Sequence, residues 1–141
     1  MKGSAQNATW QDAYTTWGVS LNSSGLSELM TPPEVKAYVT NESVLENGTR
    51  VATVTPKIKD RTISLGLNMS AATEAAFLTN YAAFCSFLQG GQISIRTSFQ
   101  SSVQYKCYYV SCTQFAEYRL GLAKFILKLY EPDPSDRSYS A

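Results

Sequence analysis

The sequence contains no histidine. That removes the commonest general base, the commonest metal ligand and every Ser-His or Cys-His nucleophile pair. The three cysteines, Cys85, Cys107 and Cys112, include no Cys-x-x-Cys pair, so the spacing of a zinc site is missing. Residues five apart on one strand face opposite sides, so Cys107 and Cys112 are not expected to pair, and reduced, intracellular cysteines are the plain reading. Charged side chains are also scarce, 16% of the 141 residues against about 25% in typical soluble domains. A net charge of +1 supplies no field to gather nucleic acid or acidic lipid. No apolar run approaches the ~20 residues that span a bilayer, and no apolar segment of a secretory signal follows Met1-Lys2-Gly3. No Gly-x-x-x-x-Gly-Lys-Ser/Thr loop occurs, and Gly90-Gly91 follows a helical pattern where a phosphate cradle would open one. No cofactor, no metal and no enzymatic activity are expected.

What the chain does have is Ser, Thr and aromatic residues. Asn7, Asn22, Asn41, Asn47 and Asn68 each begin Asn-x-Ser/Thr. In a Ser/Thr-rich chain such triplets arise freely, and Asn68 falls inside a strand pattern, so glycosylation is the weaker reading. Glu42 and Glu46, and Asp133 and Asp136, read as solvated loop charges, not as catalytic carboxylate pairs. Arg96, Lys106, Arg119 and Lys124 with Tyr105, Tyr108 and Tyr109 contain the ingredients of a stacking platform for single-stranded nucleic acid. Their dispersal favours ordinary sheet-surface residues, and no sequence-specific nucleic-acid partner and no membrane are expected. Lys57-Ile58-Lys59-Asp60-Arg61 reads as a solvated strand entry or as a charged contact with a neighbouring subunit.

One segment has helical period. Over 73–89, Phe77, Leu78, Tyr81, Phe84, Cys85 and Leu88 form a single apolar stripe, read as the core face of an amphipathic helix. Ser70 or Thr73 is its cap, Glu74 sits in its first turn, and Gly90-Gly91 ends it. Almost everything else alternates with period two. An edge strand is expected from Asp12 through Leu21, then a turn at Asn22-Ser23-Ser24-Gly25 and one helical turn over Leu26–Met30, stopped by Pro32-Pro33. A strand is expected at Val35–Val39, and a long protruding excursion over 41–60 with Asn47-Gly48 as a type I′ hairpin turn. Arg61–Ser70 is the cleanest strand, with Ile63, Leu65, Leu67 and Met69 on one face. Further strands follow from Ile93, over Val103–Cys112, and over Gly121–Leu129, with Lys124 and Lys128 outside and a bend over Gln114–Arg119.

About seven or eight strands and one helix give a mainly β fold, an antiparallel β-sandwich or partly closed barrel with a single flanking α-helix. Expected boundaries are a flexible arm over 1–11, one domain over 12–131 and a disordered tail over 132–141. A sheet of this size has exposed edges, and few charges are placed to blunt them. A long hairpin plus open edges fits a protein that completes its sheets against copies of itself, and head-to-tail contacts of that kind close into rings.

The order of features is itself informative. It runs Asp12-Ala13-Tyr14, Trp17-Gly18-Val19, Leu26…Leu29 before Pro32-Pro33, Asn47-Gly48-Thr49-Arg50-Val51, then Lys59-Asp60-Arg61-Thr62-Ile63-Ser64-Leu65, the helix with Tyr81 and Phe84, and the Gly90-Gly91 exit. Over roughly 12–131 this resembles the tail-tube and distal-tail (baseplate hub) proteins of long-tailed bacteriophages and prophages. The resemblance implies a non-enzymatic virion structural protein, assembled in the bacterial cytoplasm. It implies a homo-oligomeric, hexameric ring that joins other tail or baseplate proteins. It also implies that the loop before the strand leading into the helix contacts neighbours, here through Asn47, Gly48, Thr49, Arg50, Lys57 and Lys59. Two departures from the family stand out: the chain has no room for a second, carbohydrate-binding-like domain, and no acidic face of the kind that lines such tubes is visible. The alternative is a monomeric β-sandwich module binding a carbohydrate or cell-surface ligand, with Trp10, Tyr108 and Tyr109 on one concave face.

Overall fold

The computed structural model describes residues 1–3, 9–36, 40–42, 49–51, 57–119 and 121–139, with backbone alone for 40–42, 49–51, 114 and 117–119. Its elements are α1 (Ala13–Trp17), β1 (Val19–Leu21), α2 (Ser23–Met30), β2 (Thr40–Glu42), β3 (Thr49–Val51), β4 (Arg61–Ser70), α3 (Glu74–Gln89), β5 (Gln92–Ile95), β6 (Tyr105–Arg119) and β7 (Leu122–Glu131). The fold is mainly β. Five antiparallel strands in the order β1-β4-β7-β6-β5 form one open, curled sheet, a half-barrel, while β2 and β3 pair as a separate ribbon. Of the two expected forms, the sheet takes that of the partly closed barrel.

The strand pattern of 61–70 is realised in full. Ile63, Leu65, Leu67 and Met69 are buried against Ala123, Phe125, Leu127 and Leu129 of β7, the register neighbours on the same face. Lys124 and Lys128 point outward. The expected edge strand from Asp12 is instead α1 followed by the short β1. Asp12 is an N-cap, its carboxylate accepting from Tyr14 N at 2.9 Å and Thr15 N at 3.3 Å, and a cap of this kind favours a helical turn over extension. Trp17 thereby lies buried at the end of a helix, 4.8 Å from the Phe87 ring and 5.4 Å from Phe84. The expected turn at Asn22–Gly25 is the start of α2: Asn22 Oδ1 accepts from Gly25 N at 2.8 Å. Asn and Ser serve turns and caps by the same side-chain bond, which is why the two readings compete. The single flanking helix of the sequence reading is therefore joined by two shorter ones.

α3 is capped by Thr73, whose hydroxyl accepts from Ala76 N at 3.1 Å. Gly91, at φ +85°, supplies the left-handed residue after it. Of the expected core stripe, Phe77, Phe84 and Leu88 are buried and Cys85 is half-buried. Leu78 is 57% exposed and Tyr81 38% exposed, so neither is a core residue, whereas Phe87 is buried. The helix is rotated so that Phe84 and Phe87 meet Trp17, and Phe84 meets Phe125 at 5.7 Å. Tyr81 leans on the half-exposed Phe115 of β6 at 5.5 Å. The missing signal was α1, whose indole draws Phe87 inward.

α2 lies against the stretch of β4 beyond the reach of β1, and the approach is backbone to backbone. A Cβ on Gly25 would stand 2.3 Å from Gly66 O and 2.8 Å from Leu21 Cδ1. Gly66 is as crowded, with Asn22 Oδ1 at 2.5 Å from its own would-be Cβ.

The base of the half-barrel is closed by one fully buried carboxylate. Glu131 accepts from Arg61 Nε at 2.9 Å and from Arg137 Nε and Nη2 at 3.1 and 3.0 Å. Arg61 Nη2 also stands 2.9 Å from Oε1, as an ion-pair contact without hydrogen-bond geometry. Arg61 Nη1 donates to the Thr31 and Leu29 carbonyls at 2.6 and 3.2 Å, the favourable end of α2 for a cation. Both guanidinium groups face the Tyr105 ring, at 5.9 and 4.8 Å. The described part of the expected disordered tail, 132–139, thus runs back over the molecule. Gln104 N donates to Arg137 O at 2.9 Å, and Ser138 bridges Val103. Lys106 Nζ lies 3.0 Å from Asp136 and, with the Ser138 hydroxyl, holds that carboxyl below its usual range.

Two outcomes follow for stability in urea. Glu131→Ala strands two largely buried guanidinium groups and lowers stability by about 3–5 kcal/mol. Gly25→Ala lowers it by about 1–3 kcal/mol through overpacking, although alanine is the better helix former.

Candidate functional site

Among the described residues no group of His, Cys, Asp and Glu is placed to hold a metal ion. None of the three cysteines is in a disulfide: Cys107 is buried, Cys85 half-buried and Cys112 exposed. Burial pushes the Cys107 thiol up to about 12 from an ordinary value of 9.0. Its thiolate is therefore suppressed at neutral pH, and it is no nucleophile. The features that stand out are sheet edges and a cleft.

The register defines which backbone groups of β1 are free. Ser70 N donates to Gly18 O at 3.0 Å and Asn22 N to Gly66 O at 3.2 Å. Hydrogen-bonded pairs alternate along an antiparallel ladder, so Ser20 turns its amide and carbonyl toward Asn68 while Val19 and Leu21 turn theirs away. No described residue bonds to those outward groups through its backbone. On the opposite border, β5 accepts an added residue. Lys2 N donates to Ser94 O at 2.9 Å and Ser94 N to Lys2 O at 2.7 Å, and Met1 and Gln11 pair in turn. Among the described residues the half-barrel is thus extended from the β5 side and open on the β1 side.

Between the two borders lies a cleft of about 600 Å³, within the range of ligand-binding clefts. Leu21, Leu65 and Ile95 line its floor, and Trp10, Tyr14 and Phe99 its rim. Phe99 is 77% exposed and Tyr14 64%. Arg96 sits between two rings, 5.5 Å from Trp10 and 4.6 Å from Tyr139, so it clasps the N-terminal segment to the C-terminal one. Tyr108 and Tyr109 do not line this cleft. The three rings expected on one concave face are therefore not assembled there.

The described parts of the long excursion pair in two places, and the partner of its 57–59 end, Glu34–Lys36, lies outside the expected limits. Lys36 N donates to Lys57 O at 2.7 Å, Lys59 N to Glu34 O at 2.8 Å, and Val35 bridges Ile58. Lys59 Nζ stands 3.8 Å from Glu34, both exposed, a contact of little energetic worth. Further out Thr40 pairs with Val51, Asn41 with Arg50 and Glu42 with Thr49. A two-residue turn at Asn47-Gly48 would set Thr49 opposite Glu46. Asn47 and Gly48 themselves, like the outer part of the strand expected at Val35–Val39, lie outside the described residues. Lys57 and Lys59 lie exposed where 57–59 pairs with 34–36, and Thr49 and Arg50 belong to β3.

The fold class defined by this sheet, an open antiparallel half-barrel with a helix across it, has a counterpart among solved structures. The chain is similar to the crystal structure of the SPP1 Dit (gp 19.1) protein, described as a paradigm of the hub adsorption apparatus in phages infecting Gram-positive bacteria. The identity is 16% and the TM-score 0.56, with 88% of this chain and 47% of that one covered. The likeness is one of fold, and the chain spans about half the length of that protein. No protein-family model matches the sequence, and no curated protein does.

Thiol accessibility gives a direct check on this geometry. In native protein at neutral pH an aromatic disulfide reagent titrates Cys112 first, and Cys107 reacts only at the rate of unfolding. The raised Cys107 value stabilises the fold fully below pH 9, and that contribution declines as pH climbs toward about 12.

Proposed function

We propose that this chain is a non-enzymatic structural subunit of a phage or prophage tail, of the distal-tail or tube type, that self-associates into a ring. The observation that carries the reading is the fold likeness to a tail hub protein across 88% of the chain. A hydrogen-bonding border on β1 without a partner in its own described sheet supports it. The mechanism is geometric. Each copy is a wedge, its open border bonds to the next copy, and the ring stacks on other tail or baseplate proteins in the virion. The ring is hexameric in this reading and assembles in the bacterial cytoplasm before the tail is complete. The ribbon that carries Asn47, Gly48, Thr49, Arg50, Lys57 and Lys59 reaches a neighbouring copy.

Multi-angle light scattering over a concentration series, paired with negative-stain imaging, tests this. The expected outcome is a concentration-dependent oligomer with ring particles. A strict monomer at every concentration, with no rings, overturns it. The double variant Lys57→Glu/Lys59→Glu lowers the oligomer fraction at low salt and leaves the urea midpoint of the monomer unchanged, because both side chains are exposed.

A further inference from the structure

We propose that Cys85 and Cys112 form a dithiol modification site on the open flank of α3, one that closes to a disulfide and staples the helix to β6. Three observations carry it.

The first is register. Tyr109, Cys112 and Phe115 of β6 oppose Leu129, Leu127 and Phe125, which are buried on the core face of β7. The bulges of β6 thereby turn Cys112 to the face on which α3 lies. Rings fix α3 there: Phe84 stands 5.7 Å from Phe125 and Tyr81 5.5 Å from Phe115. Cys85 is one helical turn beyond Tyr81, on the same side of α3. Cys112 is the residue of the β6 series next to Phe115. The ring contact therefore sets one cysteine on each of two facing elements.

The second is that both sulfur atoms act on the same two phenols. A side-chain hydrogen bond with Cys85 raises the Tyr81 phenol above its ordinary value, and burial and the Cys112 side chain add to it. Tyr109 is raised by burial first, then by Cys112 and Cys85. Two tyrosines, one from each element, thus bracket the two thiols.

The third is access. Cys112 is exposed and Cys85 half-buried, whereas Cys107 is buried. Leu78 and Tyr81 leave this flank of α3 open to a reagent, at 57% and 38% exposure.

The oxidant is a low-molecular-weight disulfide, RSSR. The Cys112 thiolate attacks one of its sulfurs, forms a mixed disulfide and expels RS⁻. The Cys85 thiolate then attacks the Cys112 sulfur and expels the second RS⁻. The protein gives up two protons and two electrons, and RSSR leaves as two RSH. A chain made in a reducing cytoplasm and used outside it sets such a staple on release; that use rests on the tail reading above, and the dithiol site does not.

The aromatic disulfide dithiobis-nitrobenzoate tests the pair on the full native chain. The expected result is release of two equivalents of the aromatic thiolate, the second at a rate independent of reagent concentration. The product retains no aromatic group, is lighter by two hydrogens, and yields a peptide crosslinked between Cys85 and Cys112. Its urea midpoint lies above that of the reduced chain. In Cys85→Ser, release stops at one equivalent and the aromatic group stays on Cys112. A bridge of this kind forms only where two Cα atoms come within about 7 Å, so it also reports how closely α3 lies on β6. A stable adduct on Cys112 in the unsubstituted chain overturns the proposal, and so does a bridge that includes Cys107 or joins two chains. Light scattering on the same sample separates the two readings: a ring that fails to bridge overturns the dithiol site alone, and a monomer that bridges supports it without the ring.

Discussion

The molecule depends on a single carboxylate at the foot of the half-barrel. Glu131 is the last residue of β7 and the register partner of Arg61, the first of β4, so one ion pair closes the central ladder of the sheet. Arg61 also reaches the carbonyl end of α2, and Arg137 brings the chain back from beyond β7. Removing two or three charges from water costs several kcal/mol per ion, and only complete pairing offsets it. Here the pairing includes the Tyr105 ring face and the orphan carbonyls of a helix. Four segments that are distant in sequence are thereby held in one place, and the cluster gives specificity of arrangement where hydrophobic contacts alone are directionless.

That arrangement places two borders of the sheet on either side of a cleft and leaves them different. The β5 border is lengthened by Lys2, and Gln11 extends the pairing through Met1. The β1 border is short because α2 occupies the rest of β4, an approach that requires Gly25 against Gly66. An asymmetric pair of borders suits a head-to-tail contact, in which the donor and acceptor surfaces of one copy are distinct. It would serve poorly in a two-fold dimer, where like must meet like.

Much of this was legible in the sequence. β4 and β7 carry clean alternation because each lies in the middle of the sheet with one face on the core, and the two patterns interlock in register. The 73–89 helix was visible from its period, a cap at Ser70 or Thr73, of which Thr73 is the one used, and its glycine exit. Its orientation was not, because Trp17 belongs to a helix whose five residues are too few to show periodicity. Glu131 was hidden for another reason. A lone glutamate before Pro132 reads as a strand end, and nothing local announces that Arg61 and Arg137 converge on it. The open edge is invisible to sequence altogether, since it is defined by what does not pair. The tail likeness was carried by the order of features, and the structural comparison bears on it at the level of fold.

β6 shows most plainly how a pattern can be rephased. Tyr109, Cys112 and Phe115 are three apart, not two, yet they oppose Leu129, Leu127 and Phe125, which all face the core. A bulge sits at each step, between Tyr109 and Ser111, between Cys112 and Gln114, and again between Glu117 and Arg119. Each one reverses the alternation, which is why the strand reads as apolar on both sides. Twelve residues of β6, Tyr108 to Arg119, are consequently laced to nine of β7. A ribbon sewn to a shorter neighbour has to bow. The trough shape of this sheet is therefore written into one strand, and shortening that strand by a residue would flatten the wall and turn its rings to the wrong side in the same stroke.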